Sequence, residues 1–154
     1  MKLLHVCLLV ILGHCFSYAT PPTLAELDSI AGAFYDQGDY PNSVLSYQKL
    51  IELAKKEDKD SPFYANSLAA LANVYREMGL YDKSEPLLTK AIALTEKNKE
   101  TDVSYAHNLK QLGLLYLALG KYTEAEQIFL ETLDLFSKIL GEKDLDYAVN
   151  LNVN

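Results

Sequence analysis

The chain has 154 residues, of which 49% are hydrophobic and 23% charged, and its formal net charge is −7. This length suits one domain with a buried core. The acidic balance argues against nucleic acid as a partner, because phosphate neutralisation needs clustered Lys and Arg, and against docking on anionic lipid.

The first 19 residues have the pattern of a secretory signal peptide. Lys2 precedes an apolar run at residues 6–12, and the small residues Ser17 and Ala19 stand two apart. This arrangement predicts cleavage after Ala19 and export, to a secreted or periplasmic location. The run is shorter than the roughly 20 apolar residues that a membrane helix needs, so no stable span is expected in the mature chain. An uncleaved signal anchor that tethers the chain to a membrane is the alternative.

Both cysteines of the chain, Cys7 and Cys15, lie in this leader. The mature chain, residues 20–154, would therefore have no disulfide framework, no thiolate nucleophile and no sulfur ligand for a metal. Processing as a lipoprotein at Cys15 is a further alternative, but His14 directly before it is a poor fit to the small residue of such signals.

After the leader, the sequence predicts three units in chain order, each a helix, a Gly-centred turn and a second helix. Apolar residues recur three and four positions apart, as in Leu68, Leu71 and Tyr75, which is typical of one helix face rather than a strand. The units cover about residues 24–60, 61–101 and 102–143.

Glycine and tyrosine repeat at a fixed interval of 41 residues. Such a period indicates a solenoid of stacked units. The glycines are expected to end the first helix of each unit at positive φ, where a Cβ is unfavourable. The tyrosines recur in register, which favours packing over an aromatic ligand site. The repeated positions are Gly38, Gly79 and Gly120, followed by Tyr40, Tyr81 and Tyr122.

Small residues stand where two helices of a unit must approach closely. They are Ala31, Ala72 and Gly113 in the first helices and Ser43, Ser84 and Ala125 in the second. A large residue follows in each second helix and can fill the space between units. These residues are Tyr47, Leu88 and Phe129.

The pattern resembles the tetratricopeptide repeat (TPR) family. The large-small pair of that family matches Ile30–Ala31, Leu71–Ala72 and Leu112–Gly113, and its first-helix aromatic matches Phe34, Tyr75 and Tyr116. The resemblance implies an all-α, antiparallel helix-pair solenoid. It also implies a non-enzymatic scaffold that binds a peptide or protein partner in a concave groove, with no cofactor.

The repeat is longer than the roughly 34 residues usual in that family. The excess of seven residues is close to two helical turns, which would keep the buried faces in phase. The elongated repeats of kinesin light chains look similar. Helix starts are predicted at Thr23 with Glu26 as a capping box, at Ser61 before Pro62, and at Asp39.

A fourth unit begins at about residue 144 and stops at residue 154. Tyr147 and Ala148 repeat the Tyr105–Ala106 pair that opens the third unit. Residues 144–154 are interpreted either as a short capping helix or as the end of a truncated gene product or of a fragment of a longer repeat protein. An alternative function is self-association through this segment. In that case its apolar residues would be buried against another copy of the chain; they are Leu145, Val149, Leu151 and Val153.

The search for catalytic chemistry finds little. His5 and His14 lie in the leader, so His107 is the one histidine of the mature chain. One histidine without cysteine makes a zinc site unfavourable, and no phosphate-binding Gly-rich motif is present. We therefore expect no enzymatic activity, no metal site and no cofactor.

The resemblance also implies the groove positions, on the first helix of each unit. Asn73 and Arg76 are the main candidates for binding a peptide backbone or carboxylate. Asp28 and Asp36 favour a ligand of basic character. Solvated helix faces are the alternative for all of them, and Lys90 and Lys97 of the second helix are expected to face away. The positions are Ala25, Asp28, Gly32, Tyr35 and Asp36, then Asn66, Ala69, Asn73, Arg76 and Glu77, then His107, Lys110, Leu114, Leu117 and Ala118.

Overall fold

The structure is a computed structural model that describes residues 22–96 and 103–140. Within these residues the chain forms six α-helices and no strand, which confirms the all-α prediction. Successive helices pack as antiparallel pairs, and each pair contacts the next, so the fold is a helical solenoid. The helices are α1 (Leu24–Asp36), α2 (Tyr40–Glu57), α3 (Pro62–Glu77), α4 (Tyr81–Thr95), α5 (Val103–Ala118) and α6 (Tyr122–Leu140).

The three predicted glycine turns have the expected backbone conformation. Gly38, Gly79 and Gly120 have φ of 74°, 72° and 72°. At the first turn, the amide of Asp39 donates to the carbonyl of Phe34 at 2.9 Å, and the amide of Gly38 donates to the carbonyl of Tyr35 at 2.9 Å. This is the Schellman motif, which requires a left-handed residue after the helix. The same two hydrogen bonds recur at the other two turns.

The predicted N-caps are also present. Thr23 Oγ1 accepts from the amide of Glu26 at 3.2 Å, and Glu26 Oε2 accepts from the amide of Thr23 at 2.8 Å, which completes a capping box. Ser61 Oγ accepts from the amide of Tyr64 at 3.2 Å. Asp39 caps α2 in the same way, so local side-chain chemistry sets where these helices begin.

Small residues bring the two helices of a unit together, as the sequence predicts. Ser43 Oγ donates to the carbonyl of Ala31 at 2.9 Å, and Ser84 Oγ donates to the carbonyl of Ala72 at 2.7 Å. In the third unit Gly113 stands against Phe129, and a Cβ added to Gly113 would lie 2.7 Å from Phe129 Cε1. Each close approach therefore has no room for a larger first-helix side chain.

The core is a chain of clusters that join neighbouring units. Leu27 and Tyr47 of the first pair share one buried cluster with Leu71 and Val74 of α3. Leu88 of α4 shares the next cluster with Leu115 of α5. Each unit thus completes the apolar cover of the unit before it.

Ile30 differs from the sequence-based alignment. It occupies the position of Leu71, yet Ile30 is 45% exposed whereas Leu71 is 4% exposed. Leu71 packs against the preceding helix pair, whose Tyr47 and Leu50 lie in the same cluster. No described helix precedes α1, so Ile30 has no matching surface within the described part of the chain.

The far end of the described solenoid is also apolar and uncovered. Tyr122 is 71% exposed, whereas Tyr40 and Tyr81 at the same repeat position are half-buried and pack against the core clusters. Leu133 is 43% exposed. The predicted fourth unit at residues 144–154 lies outside the described residues.

The predicted leader at residues 1–19 also lies outside the described residues. Among the helices at residues 22–96 and 103–140, none is long and apolar enough to cross a membrane.

Candidate functional site

A groove opens between the first helices of the second and third units. Its cavity of about 370 Å³ lies between α3 and α5, which also contact each other directly. Three predicted polar positions line it: Asn66, Asn73 and His107. The other lining residues are Ala69, Ala70, Ser104, Asn108 and Gln111, so the walls carry amide and hydroxyl groups and no carboxylate.

Asn73 is held from two sides. Its Nδ2 donates to the hydroxyl of Tyr35 on α1 at 3.0 Å, and its Oδ1 accepts from Arg76 Nη2 at 2.6 Å. Arg76 Nη2 also pairs with Glu77 Oε1 at 2.6 Å. The four side chains form a polar chain that links α1 to α3. Because an amide has two donors and two acceptor lone pairs, Asn73 keeps capacity for a ligand.

A second contact crosses the cavity itself. Asn66 Nδ2 on α3 donates to Ser104 Oγ on α5 at 3.3 Å. Deeper in the groove, Asn108 Nδ2 donates to Thr95 Oγ1 at 3.4 Å. Gln111 Oε1 is buried without a hydrogen-bond partner among the described residues. A buried acceptor of this kind is unfavourable unless a donor reaches it.

His107 forms one rim of this cavity. Its ring meets Phe136 of α6 edge-on, with the ring centroids 5.3 Å apart. Partial burial lowers the pKa of His107, and the nearby charge of Lys110 lowers it further. The imidazole therefore favours its neutral form in the folded chain.

The first-unit end of the predicted groove is acidic. Asp28 and Asp36 are exposed on α1, with Gly32 between them. Burial raises the pKa of Tyr47 to about 12, and the charges of Asp28 and Asp36 contribute to the rise. The Tyr47 hydroxyl thus faces the same region as the two carboxylates.

The third-unit end is more apolar. Leu114 is half-buried and Leu117 is exposed, while Lys110 is half-buried beside His107. None of the three lines the cavity between α3 and α5. Ala25 and Ala118 are exposed at the outer ends of the set.

Sequence reasoning missed Ala70 and three polar groove residues: Ser104, Asn108 and Gln111. The repeat equivalents of the three polar residues are Phe63, Ser67 and Ala70, so two of these positions carry an apolar residue in the other copy. A polar residue at a position that is apolar in the neighbouring repeat is the signal that could have identified Ser104 and Gln111, whereas Asn108 gives no such signal because Ser67 is also polar.

Lys90 does not line the cavity between α3 and α5, yet it contacts a first helix. Its Nζ donates to the hydroxyl of Tyr64 at 2.8 Å and lies 5.2 Å from the centre of the Tyr64 ring. The reason is that α4 packs along α3, and the long lysine stem reaches the tyrosine on the neighbouring helix. Lys97 lies outside the described residues.

No group of three or more His, Cys, Asp or Glu side chains within the described residues could hold a metal ion. His107 neighbours amides, an aromatic ring and a lysine. The geometry of the described groove is suited to hydrogen bonding with a polar ligand.

Two family models match the chain, and both are described as tetratricopeptide repeat. They cover residues 23–97 and residues 109–146. No curated protein sequence matches the chain.

Solved structures of similar fold include two crystal structures of a Podosopora anserina putative kinesin light chain with nearly identical TPR-like repeats. One of them, a single-residue variant, is 21% identical with a TM-score of 0.66, and the match covers 84% of this chain and 62% of that one. The other is 20% identical with a TM-score of 0.63, and the match covers 86% and 64%. The chain spans less than two thirds of the length of these solved chains.

Proposed function

Since the chain belongs to the tetratricopeptide repeat family, we propose that it binds an extended segment of a protein partner in the groove formed by α1, α3 and α5. The repeats support a protein-interaction module. The observation that carries the groove assignment is the cavity of about 370 Å³ between α3 and α5, whose polar lining groups are four amides, one hydroxyl and one imidazole.

The chemistry of this lining fits a peptide backbone. Amide side chains offer both donors and acceptors, which match the alternating N–H and C=O groups of an extended chain. Gln111 lines the same cavity, but its Oε1 is buried without a donor among the described residues, so its amide must turn to meet a backbone N–H of the ligand. No step of this role needs catalysis or a cofactor, so the proposed function is that of a non-enzymatic scaffold.

Pre-organisation supports the same assignment. Tyr35 and Arg76 hold the Asn73 amide in one orientation before any ligand arrives. Ligand groups that meet a fixed amide lose less free energy to side-chain ordering on binding.

The test is capture of partners with residues 20–154 as bait, followed by titration of the identified partner against variants. Asn66→Ala and Gln111→Ala should weaken binding, because both change the cavity lining. Lys49→Ala is the control, since Lys49 is exposed on α2, a second helix. An equal loss for Lys49→Ala would place the binding surface elsewhere.

Export forms part of the proposal. It is supported by the signal-peptide pattern of residues 1–19. N-terminal sequencing of the protein recovered from outside the cytoplasm should begin at Thr20. A start at Met1 in a membrane fraction would favour the signal anchor, and a lipid on Cys15 would favour the lipoprotein.

Self-association is a second candidate function, favoured by the exposed Tyr122 and Leu133 on α6. Leu145, Val149, Leu151 and Val153, which would take part, lie outside the described residues. Sedimentation equilibrium at micromolar concentration should show a dimer that Tyr122→Ser with Leu133→Ser disrupts. A monomer mass for the unsubstituted chain would reject this candidate.

A further inference from the structure

The groove changes character in the first unit, where a glycine replaces a side chain that the other units have. Gly32 occupies the repeat position of Asn73 and Leu114. A Cβ built on Gly32 would meet a single atom within 4 Å, the hydroxyl oxygen of Tyr47 at 3.9 Å. The space above that hydroxyl is therefore open in this unit.

The Tyr47 hydroxyl is the floor of this open space. Tyr47 is 8% exposed, and its hydroxyl makes no hydrogen bond to any described residue. The hydroxyl oxygen itself is not enclosed, so it is accessible at the opening beside Gly32. The hydroxyl can both donate and accept, so it is an unused polar group that points at the place where the Gly32 side chain would be.

Two carboxylates flank the opening along α1. Asp28 and Asp36 stand four residues before and after Gly32, which places all three on one face of the helix. Each lies about 6 Å along the helix axis from Gly32, at about 1.5 Å per residue. Neither makes an ion pair within the described residues, and α1 has no basic residue.

Arg76, the one arginine of the sequence, makes no ion pair with Asp28 or Asp36. Arg76 Nη2 is committed to Asn73 and Glu77. Burial raises the pKa of Tyr47 to about 12, and the negative charges of Asp28 and Asp36 add to the rise, as expected for a hydroxyl beside Gly32 on the same helix face. A cation above Gly32 gains from both carboxylates, whereas an anion is repelled by both.

We propose that Asp28, Asp36 and the Tyr47 hydroxyl form a subsite for a lysine or arginine side chain of the bound peptide, seated over Gly32. This inference rests on the groove proposed above and adds the charge of the partner. The hydroxyl accepts a hydrogen bond from the charged head of the lysine or arginine. One carboxylate forms an ion pair with that head, and the other carboxylate attracts it at longer range. The apolar stem lies along the open backbone of α1.

The experiment uses ¹⁵N-labelled residues 20–154 and short capped peptides followed by NMR. The probes are acetyl-Ala-Ala-Lys-Ala-Ala-amide, its arginine equivalent, and versions with norleucine or glutamate at the central position. The lysine and arginine peptides should shift the Gly32 amide signal saturably. The norleucine and glutamate peptides should leave it unchanged.

Three variants test the subsite without removing the fold. Asp28→Asn with Asp36→Asn should raise the dissociation constant of the lysine peptide about tenfold, since exposed ion pairs are individually weak. Tyr47→Phe removes the hydroxyl alone and should weaken binding severalfold. Gly32→Asn introduces the residue of the second unit and should block the peptide while raising the melting temperature.

Glu124→Gln with Glu126→Gln is the matched control, because it removes two acidic charges in the third unit, where both residues are exposed on α6. It should leave binding unchanged. Equal weakening by the Glu124→Gln and Glu126→Gln pair would overturn the subsite in favour of an effect of net charge. A shift of the Gly32 signal with the norleucine peptide would overturn it in favour of apolar contact. A saturable shift with calcium chloride alone would overturn it in favour of a metal site.

The same spectra separate this inference from the groove proposal. Shifts at Asn66 and Ser104 without a lysine-dependent shift at Gly32 overturn the subsite and retain the groove. Shifts confined to α2, α4 and α6 overturn both. Absence of any lysine-dependent shift at several millimolar peptide also overturns the subsite, and partner capture then decides the groove independently.

Discussion

Gly113→Ala gives the sharpest test of the close approach between α5 and α6. Glycine in a helix interior is roughly 1 kcal/mol less favourable than alanine, so an unhindered substitution would stabilise the chain. Here the new Cβ would lie 2.7 Å from Phe129 Cε1 and 3.0 Å from Cδ1 and Cζ of that ring. Overpacking of this kind costs about 1–3 kcal/mol. We therefore expect a net loss of about 1 kcal/mol in the free energy of unfolding.

The second unit supplies the compensating change. Ala72 there belongs to the same buried cluster as Leu88, the repeat equivalent of Phe129. Phe129→Leu alone should destabilise by about 1–2 kcal/mol through the cavity that it leaves. The double variant with Phe129→Leu and Gly113→Ala has the same two residues at these positions as the second unit, where they are Leu88 and Ala72. The double variant should then be more stable than the sum of the single changes by about 1–2 kcal/mol, as expected of residues in contact.

The measurement is urea unfolding of residues 20–154 followed by far-ultraviolet circular dichroism, with equal m-values required across the cycle. Gly32→Ala is the matched control, since its Cβ would meet only the Tyr47 hydroxyl at 3.9 Å. It should stabilise by about 0.5–1 kcal/mol. If Gly113→Ala stabilises as much as the control, and the cycle is additive, the close contact with Phe129 does not exist.

Three further outcomes are expected. Ala72→Leu should lower the free energy of unfolding by about 1–3 kcal/mol in urea titrations, because Ala72 is buried against Ser84. Asn73→Ala should weaken partner binding about tenfold in a calorimetric titration and also lower stability by about 1 kcal/mol, because it removes the bond to Tyr35. The lowered pKa of His107 means that the folded chain disfavours protonation of this residue. The contribution of His107 to stability is therefore full above about pH 6.5 and falls as the pH decreases below that value. His107→Gln should reduce this pH dependence, measured as the urea midpoint between about pH 7.5 and 5.5.

Local backbone chemistry made much of the fold predictable. Positive φ at Gly38 and Gly79 follows from the end of a helix at each position. Such a helix end can be recognised from the neighbouring residues in the sequence alone. The capping box at Thr23 is likewise local. The close approach of the two helices at Ser43 and Ala31 was predictable from the repeat. The hydrogen bond between these residues joins positions twelve apart, so it became visible only in the structure of the packed helix pair.

The groove was less predictable because its contacts join different units. The Tyr35 hydroxyl and the Asn73 amide are 38 residues apart, so no periodicity indicates that they bond. The contact of Lys90 with Tyr64 depends on where two long side chains meet between helices. Membership of a helix face is readable from spacing, whereas the partner of a particular polar side chain depends on tertiary packing.

The Ser-to-carbonyl contacts and Gly turns of the first two units have an evolutionary consequence. Each hydrogen bond closes within one unit, from Ser43 to Ala31 and from Ser84 to Ala72, and substantial helix contacts in the described chain reach no further than the adjoining pair. An in-frame duplication of one 41-residue repeat would include its own turn, its own helix cap and its own Ser-to-carbonyl hydrogen bond. The new unit would also pack against compatible units on both sides. Such a chain can lengthen its solenoid by copying, and each copy can then diverge at the proposed groove positions without changing the contacts that hold the unit together.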